Sequence, residues 1–188
     1  MPRLFTAIEI PADVVDALAT ARGGIFGARW HQPADYHITL RFIGDVDRRM
    51  ADDIADALEQ VRRRPISIRF DGLSWFGGDK PRAIVARIKS TPELSELQAE
   101  HESRMRRLGL PPETRNFTPH VTLAGVRGVS PLAVADYLGA RGAFDAPPFE
   151  ASEFVLYSAR DGVGGGPYVV EADYPLLEVR DHAAADRR

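Results

Sequence analysis

The sequence contains the stretch His37-Ile38-Thr39-Leu40 and, 83 residues later, a second copy of the same pattern, His120-Val121-Thr122-Leu123. In an extended strand successive side chains point to opposite faces, so the histidine and the threonine of each copy share one face. The two apolar residues of each copy point to the other face, where they can join a core. The pattern therefore predicts two strands that, brought together, offer two imidazoles and two hydroxyls to a single ligand.

Apolar periodicity and turn residues predict the elements around the two motifs. We expect strands at about 3–10, 36–43, 66–70, 83–85, 150–158 and 167–178, another strand at the second motif, and helices at about 11–24, 47–62, 92–108 and 130–139. The turn at 77–81 is expected to join two of these strands as a hairpin. Residues 161–166 are expected to form a flexible connection.

Mixed helices and strands with hairpin connections predict an α+β fold rather than a doubly wound parallel sheet. The order of strand, helix and motif-bearing strand occurs twice, which indicates two lobes related by an approximate twofold axis. We expect one domain over residues 1–180, followed by a flexible tail at 181–188.

Composition narrows the classes of protein that fit. The 188 residues include no cysteine, which excludes disulfides, thiolate metal sites and a cysteine nucleophile and favours a cytoplasmic location. The first residues are too short an apolar run for a secretory signal, and no later run is long enough to cross a membrane. A net charge of −3 argues against a broad surface for long nucleic acid, whereas small phosphorylated ligands and RNA ends remain candidate partners.

The paired histidines, His37 and His120, fit acid–base chemistry on a phosphodiester. An imidazole titrates at about pH 6.5, so one ring can accept a proton while the other donates one. The hydroxyls of Thr39 and Thr122 can donate hydrogen bonds to nonbridging phosphate oxygens. Two histidines without nearby cysteines or paired carboxylates make an incomplete metal site, so neither a metal nor another cofactor is expected.

These motifs resemble those of the RNA 2′,3′-cyclic phosphodiesterases, or 2′-5′ RNA ligase-like (LigT) proteins, of the 2H phosphoesterase superfamily, which is defined by two His-x-Thr/Ser-x motifs. The resemblance spans nearly the whole chain. It includes the stretches 3–8, 36–44, 81–82 and 117–124, together with Ser158 and 166–168. The two histidine motifs are specific as a pair, whereas each flanking match is weak alone.

The resemblance implies a bilobal α+β fold in which each lobe has an antiparallel sheet with helices on its outer face, and the motif residues meet in a central cleft. It also implies metal-independent hydrolysis of RNA 2′,3′-cyclic phosphate ends to 2′-phosphomonoesters, with His120 activating water and His37 protonating the departing 3′ oxygen. No protein partner is implied. The chain departs from the family pattern at Gly125, where an arginine is usual, and at Ile84 and Val85, where a tryptophan is usual.

Arg41 continues the alternation of the first motif and is predicted to approach the phosphate or the RNA backbone, although a salt-bridged arginine fits the same pattern. Other residues have weaker signals. Three further arginines are candidate cations: Arg82, Arg115 and Arg127. Three aromatic residues fit either stacking on a base or internal packing: Phe76, Phe117 and Tyr168. His101 is expected to be structural, whereas His31 and His182 have no supporting pattern.

Three further functions remain compatible with the residues alone. One is a phosphodiesterase for another cyclic or 2′-5′ linked nucleotide, including reversible 2′-5′ RNA ligation. Another is a noncatalytic module that binds RNA ends. The last is a metal-dependent hydrolase, which predicts loss of activity on chelation.

Overall fold

The computed structural model describes residues 1–159 and 168–177, which contain ten β-strands and four α-helices. The strands are β1 Arg3–Glu9, β2 Arg29–Trp30, β3 His37–Asp45, β4 Ile66–Ile68, β5 Phe70–Phe76, β6 Ala83–Ile88, β7 His120–Gly125, β8 Phe149–Ala151, β9 Glu153–Ala159 and β10 Tyr168–Pro175. The helices are α1 Ala12–Ala19, α2 Arg48–Leu58, α3 Pro92–Arg107 and α4 Pro131–Ala140. The expected flexible connection at 161–166 and the expected tail at 181–188 lie outside the described residues.

Eight strands form one antiparallel sheet in the order β10-β9-β1-β3-β7-β6-β5, with β2 also paired to β7. The two halves of this sheet join through a single residue pair, Ile38 and Val121. β4 and β8 form a separate two-stranded sheet. This architecture confirms the predicted α+β class.

One face of the sheet packs against all four helices. Val14 of α1, Ile54 of α2, Leu97 of α3 and Val134 of α4 are each at most 2% exposed and belong to the same core as the strand residue Ile38. Burial of these apolar side chains is the main favourable term in folding. The helices therefore leave the opposite face, which carries the motif histidines, free of helical cover.

Helix α3 begins and ends as its sequence predicts. The side chain of Thr91 accepts a hydrogen bond from the backbone of Leu94, and Pro92 occupies the first helical position, where its missing N–H costs no hydrogen bond. Gly109 follows the helix with φ of 86°, a left-handed conformation that a residue with a Cβ adopts at a cost.

Three predicted elements differ in the structure. Helix α1 ends at Ala19 rather than near residue 24, because residues 20–22 continue as a turn in which each N–H bonds to the carbonyl three residues earlier. Helix α2 ends at Leu58 rather than near residue 62, because Val61 reaches the core from a turn in which its N–H bonds to the carbonyl of Leu58. The strand predicted at 66–70 divides into β4, which pairs with β8, and the start of β5. The predicted hairpin is formed by β5 and β6.

No helix within the described residues is both long and apolar enough to cross a membrane.

Candidate active site

The two motif strands meet where the halves of the sheet join. β3 and β7 run antiparallel, with Ile38 facing Val121, and both of these side chains are fully buried. In an antiparallel pair, the residue before one member lies across from the residue after the other. His37 therefore lies across from Thr122, and Thr39 lies across from His120. All four of these polar side chains are partly exposed on the face away from the helices.

Both imidazoles are held in the same way. Nδ1 of His37 donates to the carbonyl of Asp35 at 2.7 Å, and Nδ1 of His120 donates to the carbonyl of Thr118 at 2.6 Å. Because a carbonyl oxygen only accepts, Nδ1 carries the proton in each ring. The Nε2 atom of each neutral ring is left with its lone pair, ready to accept a proton or, once charged, to donate one.

Aromatic side chains surround the first histidine. The ring of His37 lies 5.0 Å from Phe5, 5.1 Å from Tyr168 and 6.0 Å from Tyr157, measured between centroids. Burial, with smaller contributions from nearby His31 and His120, lowers the pKa of His37 to about 4, against the opposing effect of the hydrogen bond to the Asp35 carbonyl. His37 is therefore neutral in the ligand-free protein at neutral pH.

His120 has a more open setting. The ring of Phe76 meets it edge-on with centroids 4.7 Å apart. Burial lowers its pKa, and the charge of Arg115 adds to this effect, whereas the hydrogen bond to Thr118 opposes it. The two histidines thus share one tautomer but differ in surroundings.

A cavity of about 570 Å³ opens beside the second motif, where β3 and β7 diverge. Of the four motif residues, Thr39 and His120 line this cavity, whereas His37 and Thr122 do not. The other lining residues include Phe42, Phe76, Phe117, Arg82, Arg115 and Asn116. Aromatic and cationic side chains of this kind suit a nucleoside attached to a phosphate.

The predicted position of Arg41 on the face of the first motif is wrong. Thr39 pairs with Ala7 of β1, but Arg41 pairs with the next residue back, Thr6, so a bulge at Leu40 turns the arginine to the helix side. There Nε of Arg41 donates to Glu102 of α3 at 2.5 Å, and Nη2 donates to the carbonyl of Pro111 at 2.5 Å. The side chain is 7% exposed and forms part of the cavity wall.

Some of the other candidate residues lie at the cavity or against His37, and another lies in the core. Arg82, Arg115, Phe76 and Phe117 line the cavity, and Tyr168 contacts His37. His101 is fully buried and bonds through Nδ1 to the hydroxyl of Thr6 at 2.8 Å, which agrees with its predicted structural role. His182 and residues 166–167 lie outside the described residues.

Sequence reasoning missed three contributors to the site. Phe5 and Tyr157 come from β1 and β9, and their alternation alone gives no sign that they enclose His37. His31 acts electrostatically on His37, although the sequence around it carries no pattern. Only the pairing of strands far apart in the chain brings these residues together.

Metal-ligating side chains do not cluster here. Within residues 1–159 and 168–177, no three histidine, aspartate or glutamate side chains are placed to share a metal ion. The donor set where the two motif strands meet is two imidazoles and two neutral hydroxyls, and threonine hydroxyls are poor ligands for the metals that imidazole prefers.

Comparison with known proteins identifies the family. The family model described as LigT like Phosphoesterase matches residues 8–85 and 88–168 of this chain. A curated RNA 2′,3′-cyclic phosphodiesterase of Aeropyrum pernix is 36% identical over 100 residues, which is 52% of this chain and 57% of that protein. Another, of Geobacillus stearothermophilus, is 29% identical over 189 residues, which is 94% of this chain and 58% of that protein. The matches thus span less than two thirds of each relative's length.

A solved structure extends the comparison to the fold. The crystal structure of E. coli LigT complexed with 3′-AMP superposes with a TM-score of 0.76 and 22% identity, covering 95% of this chain and 100% of that one. Similarity at this level of sequence identity shows a shared fold and not a shared function. Because the family model itself covers most of the sequence, the chain belongs to the LigT-like phosphoesterase family.

Proposed function

We propose that this protein hydrolyses RNA 2′,3′-cyclic phosphate termini to 2′-phosphomonoesters, with His37 and His120 as an acid–base pair. The observation that carries the proposal is the matched setting of the two imidazoles, each fixed through Nδ1 by a backbone carbonyl with Nε2 left for proton transfer. The curated relatives that match the chain are named RNA 2′,3′-cyclic phosphodiesterases, which supports the same substrate class.

In the proposed reaction His120 accepts a proton from water as the water oxygen attacks phosphorus. The bond between phosphorus and the 3′ oxygen breaks, and His37 gives its proton to that oxygen. The 2′ ester remains, and the two rings end with their protonation states exchanged. These roles follow the family resemblance, and the more open setting of His120 beside the cavity is compatible with access for water.

We assign the hydroxyls of Thr39 and Thr122 to the nonbridging oxygens of the phosphate. Neither hydroxyl has a hydrogen-bond partner among the described residues, so both are available to a ligand. We expect Thr39→Val and Thr122→Val each to lower kcat by about 10–10²-fold, since a hydrogen bond to a charged group contributes roughly 1.5–3 kcal/mol. Steady-state kinetics will measure this, with Thr20→Val, at an exposed position directly after α1, as the control. Unchanged kcat in both motif variants would contradict the assignment.

Product identity is the direct test of the proposed function. An oligonucleotide that ends in a 2′,3′-cyclic phosphate is incubated with the protein in EDTA, and the product is identified by phosphorus NMR. We expect a 2′-monoester and turnover undiminished by the chelator. A 3′-monoester, or loss of turnover in EDTA, would contradict the proposal, and the second result would favour a metal-dependent hydrolase.

The same assay distinguishes hydrolysis of RNA ends from related activities. If a mononucleotide cyclic phosphate or a 2′-5′ linked dinucleotide is turned over faster than the cyclic-ended oligonucleotide, a different phosphodiester substrate is favoured. Accumulation of joined oligonucleotides favours ligation. Stoichiometric binding with no product favours a noncatalytic RNA-end-binding module.

The lowered pKa values predict an acidic optimum. Catalysis needs one ring neutral and the other charged, so kcat/KM is maximal between the two pKa values of the free protein. Because both pKa values lie below 6.5 and that of His37 lies at about 4, we expect kcat/KM to peak between these limits and to fall as pH rises. A bound phosphate raises both pKa values, so kcat should peak at a higher pH. Profiles of both parameters measure this, and a kcat/KM optimum above pH 7 would contradict it.

A further inference from the structure

The short strand β2 adds a residue to the histidine-bearing face that the motifs do not include. Arg29 pairs with Gly125 and Trp30 pairs with Ala124 at the end of β7. Opposite residues of an antiparallel pair project to the same face. Trp30 lies against Tyr137 of α4, and Ala124 is fully buried, so this second pair faces the helices. Arg29 and Gly125 therefore face the opposite side.

A bulge in β7 brings that side into line with the second motif. Thr122 pairs with Val85 and Gly125 pairs with Ala83, and the register shift between the pairs places the extra residue, Leu123, in the core. Val85 and Ala83 alternate with the buried Ile84, so they share a face. Thr122 and Gly125 consequently point to the same side, and Arg29 lies on that side as the partner of Gly125.

The surroundings of Arg29 leave it available to an anion. Its side chain is exposed and has no ion pair or hydrogen bond with a described residue, whereas Arg41 is bound to Glu102 and Arg115 to Glu113. A Cβ added at Gly125 would find no described atom within 4 Å, so the surface above Gly125, which pairs with Arg29, is open.

The segment that follows Arg29 is held beside the second motif strand. The backbone N–H of His31 bonds to the carbonyl of Leu123 at 2.9 Å, which holds the segment after β2 along β7. Burial lowers the pKa of His31 and the charge of Arg29 adds to this effect, while His31 contributes in a smaller way to the lowered pKa of His37.

We propose that Arg29 binds the nonbridging oxygens of the reacting phosphate from the side of Thr122. The proposal rests on the function proposed above and adds the fixed positive charge that two neutral imidazoles and two hydroxyls lack. A planar guanidinium matches two phosphate oxygens at once. Because Arg29 lies on the far side of Thr122 from His120 and its cavity, it contacts the terminal phosphate rather than the rest of an RNA chain.

Equilibrium binding of inorganic phosphate, measured by calorimetry, tests this inference without turnover. We expect Arg29→Ala to weaken binding by about 10-fold or more, and Arg29→Lys to recover part of the loss. Arg49→Ala, which removes an exposed arginine from α2 on the helix side, should bind as the wild type does. Equal binding by Arg29→Ala and the wild type, or no binding by the wild type, would overturn the proposal.

Kinetics add a second readout and separate the two proposals. Arg29→Ala should lower kcat/KM by the same factor for a mononucleotide 2′,3′-cyclic phosphate and for a cyclic-ended oligonucleotide. A loss confined to the oligonucleotide would assign Arg29 to the RNA chain and overturn the inference. An active wild type with an equally active Arg29→Ala overturns only this inference, whereas an inactive wild type that still loses phosphate binding in Arg29→Ala overturns only the proposed function.

Discussion

Replacing either His37 or His120 by alanine is expected to lower kcat/KM for a cyclic-ended oligonucleotide by about 10²–10⁴-fold, the range typical of a positioned acid or base. Each ring has one nitrogen committed to a backbone carbonyl and one free to move a proton, and no other described side chain on the two motif strands is held in this way. The double variant should lose little more than the more impaired single variant, because groups that act in one step are not additive.

His31→Ala is the matched control for these variants. His31 is a partly exposed histidine close to His37, but no threonine follows it at the motif spacing. Replacing His31 by alanine should lower kcat/KM far less than replacing either motif histidine. Thermal unfolding of all variants establishes that they are folded at the assay temperature. Turnover near the wild-type rate in either motif variant would remove the acid–base proposal.

Glu102→Ala is expected to lower the free energy of unfolding by about 3 kcal/mol or more. The carboxylate pairs with Arg41, and their side chains are 20% and 7% exposed, so its loss leaves a guanidinium charge almost buried without a counter-ion. Glu102 also accepts from the backbone N–H of Glu113 at 3.2 Å, which ties the loop before the second motif to α3. Urea denaturation will measure the loss.

Glu96→Ala on the same helix provides the comparison. Its partner is Arg63, and the side chains of Glu96 and Arg63 are 61% and 34% exposed. We therefore expect Glu96→Ala to lower the free energy of unfolding by less than about 1 kcal/mol. Glu102→Gln keeps an acceptor and should fall between the two. Similar stabilities for Glu102→Ala and Glu96→Ala would show that Arg41 does not depend on its carboxylate and would reopen a substrate role for the arginine.

Much of the fold can be predicted from local patterns. The long apolar stripe and the caps of α3 define that helix, and strict alternation over residues 37–40 and 120–123 defines the motif strands. Pairing between distant strands is harder to predict. Nothing local indicates that Ile66–Ile68 pairs with β8 rather than with the following strands, because its alternation fits either partner.

The candidate site divides in the same way. Spacing alone singles out the motif histidines and threonines, because two residues on one strand face are fixed by a period of two. Arg41 obeys the same period in sequence, but the bulge at Leu40 reverses its face, and no residue type marks that bulge. Tyr157 packs against His37, and Arg29 pairs with Gly125 after the second motif, through contacts that only the tertiary structure reveals.

Both imidazoles are proposed to act on one phosphate. Nitrogen NMR of the histidine rings during titration with a 2′-phosphorylated nucleotide will test whether they share that ligand. We predict that the Nε2 resonances of His37 and His120 shift along a single binding curve and that the ligand raises both pKa values. A shift in only one ring, or two curves with different dissociation constants, would contradict the account.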